Sequence, residues 1–153
     1  MVEPARQVEF ETMLLNRHSY FDGPRKFDEH KKLDRSAYIV LTRIEIDGPL
    51  SIGELSAALG LDTSTVNRQT ATMLRGGLLE RIPDPDGGLA RKFTMTAEGV
   101  QRLDYARSVT VDTLGRIMEE WTGEEVEAFA RSLERFNRGI ERLEGRPWPR
   151  PAD

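Results

Sequence analysis

The chain has 153 residues, of which 38% are hydrophobic and 31% charged, enough to bury a core as one domain or as two small lobes sharing one. It has no cysteine, so disulfides, thiolate nucleophiles and cysteine-based zinc or iron–sulfur sites are excluded. No apolar run approaches the ~20 residues that span a bilayer. Met1-Val2-Glu3-Pro4 opens no signal peptide, because no apolar segment follows a basic one. A soluble cytoplasmic protein without a membrane partner is the expectation.

The net charge is −4, which opposes binding to a polyanion unless the charge is uneven. Residues 61–95 hold five Lys and Arg against four Asp and Glu, whereas 1–60 hold eight against ten and 96–153 nine against twelve. The middle is the one net positive segment, and an acidic body steers nucleic acid toward the face that does not repel it.

In chain order, residues 5–19 predict a helix with Phe10, Met13, Leu14 and Arg17 in one stripe and Val8 and Leu15 beside it. Phe21-Asp22-Gly23-Pro24 stops it, and the polar segment 22–34 reads as a loop. Asp34 can cap a helix over 35–46, where Tyr38, Leu41, Ile44 and Glu45 repeat at helical spacing before Gly48-Pro49. Ser51-Ile52-Gly53-Glu54 is a capping-box pattern that opens a helix over 52–59, and Gly60 sits where a helix end takes a left-handed residue. Asp62 caps a further helix over 63–75, closed by Gly76-Gly77. Strands over 78–82 and 90–95 flank the dense turn signal of 83–88. Arg91, Phe93 and Met95 lie on one face of the second strand, with Ala90, Lys92 and Thr94 on the other. Thr96 caps a long helix over 97–121. Thr122-Gly123-Glu124-Glu125, a second capping box, opens the last helix, 123–143. Gly145 and the proline-rich 147–151 end the order, so 146–153 reads as a flexible tail.

Helix, glycine turn, helix and two-stranded hairpin form the informative constellation. In a helix-turn-helix the second helix enters the major groove and the first braces it across the backbone. With Val66 at the centre of the buried face of helix 63–75, Thr70 and Met73 lie beside it. The opposite face collects Ser64, Thr65, Arg68, Ala71, Thr72 and Arg75, with Asn67 on the flank. That face has no acid and no large apolar residue. It carries hydroxyls, an amide and two guanidiniums, the groups that bond bases and phosphates. By itself it is equally an ordinary solvated face; the capped helix before it and the hairpin after it favour DNA.

These segments resemble the MarR-type winged helix regulators. Gly48-Pro49-Leu50-Ser51-Ile52-Gly53-Glu54-Leu55-Ser56 is similar to the family's opening, and Ser64-Thr65-Val66-Asn67-Arg68 to its recognition helix. Gly77-Leu78-Leu79-Glu80-Arg81, Asp84-Pro85-Asp86 and Thr94-Met95-Thr96-Ala97-Glu98-Gly99 are similar to its wing and the helix that follows. The likeness is strongest over 33–103. It implies a mainly α fold with a small β-hairpin wing, a winged helix-turn-helix with flanking dimerisation helices. It also implies a homodimer on double-stranded DNA, often released by a small molecule. The expected divisions are a helical dimerisation region, 1–33 with 97–145, and a DNA-binding lobe, 34–96. The expected DNA contacts are Ser51, Thr63, Ser64, Thr65, Asn67, Arg68, Thr72, Arg75, Arg91 and Lys92. The family's wing commonly carries Arg near its tip; this chain has Gly88 and Leu89 there, with Arg91 and Lys92 slightly later.

Val126, Phe129, Leu133, Phe136 and Ile140 form a stripe on the last helix. Two-fold symmetry would cover it, so a dimer interface is expected, against the alternative of burial within one chain. Arg17, His18 and Tyr38 are candidate contacts for a small aromatic effector, since the resemblance places family pockets between the first helices and the lobe; packing at a dimer seam is the stronger reading of such residues. Two distant histidines and no cysteine leave no metal site expected. Glu119, Glu120, Glu124, Glu125 and Glu127 surround a helix start, where acids favour the dipole. No nucleophile elbow, phosphate-binding loop or dinucleotide glycine motif occurs, and no cofactor is expected. The reading is a DNA-binding repressor rather than an enzyme; the alternative is a winged helix reused as a protein-interaction module.

Overall fold

A computed structural model describes residues 2–18 and 32–151. Its elements are α1 (Val2–Arg17), α2 (Arg35–Asp47), α3 (Ile52–Leu59), α4 (Thr63–Arg75), β1 (Leu79–Ile82), β2 (Lys92–Met95), α5 (Ala97–Ile117) and α6 (Gly123–Glu144). The stop signal at residues 21–24 and most of the polar segment after it lie outside the described residues.

The helix starts follow local chemistry. The Asp34 carboxylate accepts from the Ala37 N–H at 2.7 Å and caps α2. Ser51 and Glu54 close a reciprocal capping box on α3, as Thr122 and Glu125 do on α6. Asp62 holds the cap position of α4, yet its side chain makes no capping bond.

The core is one cluster. Ala37, Val40, Leu41 and Ile44 of α2 meet Leu55 of α3, Val66 and Met73 of α4, Leu78, Leu79, Phe93 and Leu103. Thr70 is fully buried among them, and its hydroxyl is satisfied by the Val66 carbonyl at 2.9 Å. Strands β1 and β2 pair antiparallel, Leu79 opposite Met95 and Ile82 opposite Lys92. Leu50 adds a bridge on the other side of β2, exchanging bonds of 2.8 and 3.2 Å with Phe93. Thr96 fastens the start of α5 to the lobe, donating to the Gly77 carbonyl at 2.6 Å and accepting from Gly99 N–H at 3.0 Å. Gly99 has no alternative there: a Cβ would stand 2.2 Å from the Leu78 carbonyl oxygen.

Several expectations are corrected. The second strand begins at Lys92 rather than Ala90. Its partner ends at Ile82, and Pro83 has no N–H with which to continue the ladder. Helix α5 ends at Ile117, not at 121, because Thr122 must be extended to cap α6, with φ −71° and ψ 158°. Within the expected tail, residues 146–151 lie against the fold: the Trp148 N–H donates to the Glu141 carboxylate at 3.1 Å, and its ring lies 4.8 Å from the Arg43 guanidinium.

Candidate DNA-binding interface

Helix α4 turns Val66, Thr70 and Met73 into the core. Its outer side leaves Thr63, Ser64, Asn67, Arg68, Thr72 and Arg75 exposed, with Thr65 and Ala71 half-buried. The division follows the helical wheel, except that Thr65 and Ala71 of the expected outer face are half-buried. Arg75 donates to the Thr72 hydroxyl at 3.2 Å, and that hydroxyl donates to the Arg68 carbonyl at 3.1 Å. Neither arginine has a carboxylate partner among the described residues, so both charges are available to an incoming anion. The first intrahelical bond runs from Val66 N–H to the Asp62 carbonyl at 3.1 Å. Ahead of it, with Asp62 not capping, the opening N–H groups of α4 are left without an intrahelical acceptor. They face outward with the helix dipole behind them, an arrangement suited to phosphate.

Helix α3 braces this element. The Ser51 hydroxyl accepts from Glu54 N–H at 3.2 Å, and Glu54 accepts from Ser51 N–H at 3.2 Å. The Lys92 ammonium stands 3.1 Å from Glu54 and 3.7 Å from Asp84. That pairing holds the Glu54 carboxyl below the usual carboxylate range and Lys92 above the usual lysine range. Lys92 thus ties the wing to the start of α3, and a phosphate would have to displace two carboxylates to reach it. Sequence reading took Glu54 only as a cap partner. The signal for its second role was the alternation along β2, which sets Lys92 on the side opposite Phe93.

At the wing, Asp84 organises the turn: its carboxylate accepts from Asp86 N–H at 2.8 Å and its carbonyl from Gly87 N–H at 3.0 Å. Leu89, Ala90 and Arg91 are exposed beyond it. Arg91 makes no ion pair among the described residues.

The candidate effector residues lie on two elements, Tyr38 on α2 and Arg17 with His18 at the end of α1. Tyr38 is half-buried on α2, and its phenol is a lesser contributor to the raised pKa of Arg107 on α5. Arg107 also grips Glu45 through both carboxylate oxygens, at 2.5 and 3.2 Å, which raises its pKa further above the ordinary arginine value. Arg17 and His18 are exposed at the end of α1. Sequence reading missed Arg107, because nothing along the chain marks a contact between residues 62 positions apart.

A sequence profile of the MarR family matches residues 31–88. The HTH-type transcriptional regulator YxaD of Bacillus subtilis is 32% identical over 138 residues, 90% of this chain and 95% of that protein. The chain belongs to the MarR family. The HTH-type transcriptional repressor IacR of Pseudomonas putida is 27% identical over 72% of this chain and 66% of its own length. A MarR family protein from Bacillus stearothermophilus shares the fold with a TM-score of 0.70 at 20% identity, covering 90% of this chain and 96% of that one. This MarR-family protein is accordingly a DNA-binding transcriptional regulator built on a winged helix, in a family of regulators and not of enzymes. No helix among the described residues is long and apolar enough to cross a membrane.

Proposed function

We propose that this protein acts as a homodimeric repressor on a pseudo-palindromic operator, with the two copies of α4 in successive major grooves. The observation that carries the dimer is the surface of α6. Phe129, Leu133, Phe136 and Ile140 are 49, 41, 47 and 41% exposed along one stripe, and α6 has no buried residue in the single chain. Val8, Phe10, Met13 and Leu15 of α1 are exposed as well. A second copy supplies the cover that one chain lacks. Residues 1–33 and 97–145 are then the dimerisation region and 34–96 the DNA-binding lobe.

Within each lobe, Ser64, Thr65, Asn67 and Arg68 approach base edges, since the start of a recognition helix enters the groove deepest. Thr63, Thr72, Arg75 and the Ser51 hydroxyl meet phosphates, and Arg91 supplies the free cation of the wing. Lys92 holds the wing rather than the backbone. Repression is supported by the likeness to IacR, itself a repressor. A small aromatic acid is the proposed effector, received between α1, α2 and α5 near Arg17, His18 and Tyr38.

Duplexes selected by the protein from a random pool, followed by footprinting and sedimentation, test this reading. The expected result is two symmetric protected half-sites about one helical turn apart, 10–10.5 base pairs, bound by a dimer. A monomer at micromolar concentration, or protection of one half-site, overturns it. For the effector, the expected result is a raised melting temperature and weakened DNA binding in a screen of aromatic acids; no change in either excludes that class.

A further inference from the structure

The end of α6 returns to the DNA-binding lobe at two places. Gly145, with φ +68°, stops the helix, and Arg146 N–H closes the turn on the Glu141 carbonyl at 3.1 Å. The Arg146 guanidinium then lies on Gly60, the left-handed residue between α3 and α4. A Cβ at Gly60 would sit 2.5 Å from the Arg146 Cζ. Two residues on, Trp148 lays its ring against Arg43 of α2 at 4.8 Å. The Arg43 Nε is bonded to Asp47 at 2.5 Å, whereas its Nη1 is buried with no hydrogen-bond partner. The indole face is what this guanidinium meets, an attraction that strengthens as the cation loses water.

Glu141 locks the segment from the helix side. One carboxylate oxygen accepts from Trp148 N–H at 3.1 Å and the other from Arg150 at 2.7 Å, and Arg150 also donates to the Trp148 carbonyl at 2.5 Å. Pro147, Pro149 and Pro151 fix φ at alternate positions, so little chain entropy is lost in holding the segment extended.

We propose that residues 145–151 are a strap that fixes the orientation of the DNA-binding lobe relative to α6, with Arg146 and Trp148 as its positioning residues for operator recognition. The contacts fall where they have leverage. Gly60 precedes the first residue of α4 by three positions, and α2 packs directly on α4 and α5. An α6 held by its partner copy thereby holds the start of the recognition helix. Across the dimer, two straps set the separation of the two copies of α4. This inference rests on the homodimer reading above.

The absence of native cysteine permits a direct test. Ala57→Cys places one spin label per protomer on the exposed side of α3, and pulsed dipolar spectroscopy reads the distance between the two lobes. The expected result is a narrow distribution in the otherwise wild-type dimer. It broadens in Arg146→Ala, in Trp148→Ala and in a chain ended after Gly145, and it stays narrow in Trp148→Phe, which keeps an aromatic face for Arg43. Without the label, the alanine variants lose about tenfold in affinity for the selected operator, because fewer lobes hold the competent orientation. Their salt dependence is unchanged, and circular dichroism reports the fold intact. A dimer whose distribution is the same in all variants overturns the strap and leaves the dimer standing. A drop of about one unit in salt slope with an unchanged distribution makes Arg146 a phosphate contact and also overturns it. Absence of any distance between labels overturns the dimer reading, and the strap's role in spacing with it.

Discussion

The lobe of α2, α3, α4 and the hairpin, and the pair α1 and α6, use apolar side chains in opposite ways. In the lobe, Leu41, Leu55 and Val66 are fully buried and the polar face of α4 is left outside. In α6 the apolar face is the exposed one, and nothing on the helix is buried. Trp121 and Phe129 meet edge to face at 5.5 Å and cover little of it. Amphipathicity by itself therefore does not say what a helix packs on. The lobe closes its core with Leu103 of α5, so its outer face is free for a ligand; α6 leaves much of its apolar stripe exposed within the chain, and the proposed dimer would cover it.

The sharpest break of this contrast is Phe129→Glu with Leu133→Glu. Two charges in the proposed interface should weaken dimerisation by more than ~4 kcal/mol, the range of hot-spot losses, and sedimentation should show monomer with reduced helicity. Wild-type-like association would mean that the stripe is not the interface. Next is Leu55→Ala, which opens a cavity in the lobe and should cost about 2–5 kcal/mol in denaturant unfolding while leaving the isolated α6 contacts unaltered. A loss well below that range would show the lobe core to be looser than its burial implies.

Gly99→Ala probes the junction of the two regions. Its Cβ meets the Leu78 carbonyl, so α5 must shift, at roughly 1–3 kcal/mol of stability; a variant as stable as the wild type would contradict the close approach. Arg68→Ala tests the free face of the lobe. It should cost about 1–3 kcal/mol on the selected operator and relax base preference, with scrambled duplex little affected. Equal losses on both duplexes would assign Arg68 to phosphate instead.

The smallest effect is expected for Lys92→Met. Glu54 has a lowered pKa, so its share of the pairing is present above 4.5, the ordinary value, and is lost as pH falls through the folded-state value. Lys92 has a raised pKa, so its share is present below 10.5 and is lost as pH rises through the folded-state value. The melting-temperature difference between wild type and variant should be flat near neutrality and shrink at both extremes. The Glu54 carboxylate is about half exposed, so water screens the pairing and its contribution is small. A difference that grew in acid would assign the pairing to other groups.

Capping chemistry is local, and so it was legible: Asp34, Ser51, Thr96 and Thr122 all stand at helix starts because each accepts from a backbone N–H three residues ahead. Helical periodicity likewise assigned Val66, Thr70 and Met73 to the core and Arg68 and Arg75 to the outside, since side chains three and four apart share a face. Non-local contacts were not legible. The Leu50 bridge to β2, the grip of Arg107 on Glu45, the tether of Lys92 to Glu54 and the seat of Arg146 on Gly60 each join residues far apart in the chain. Their partners are chosen by packing, which no spacing rule encodes. A run of prolines after a glycine reads as the end of order, and only the fold brings Arg43 and Gly60 to where Trp148 and Arg146 pass.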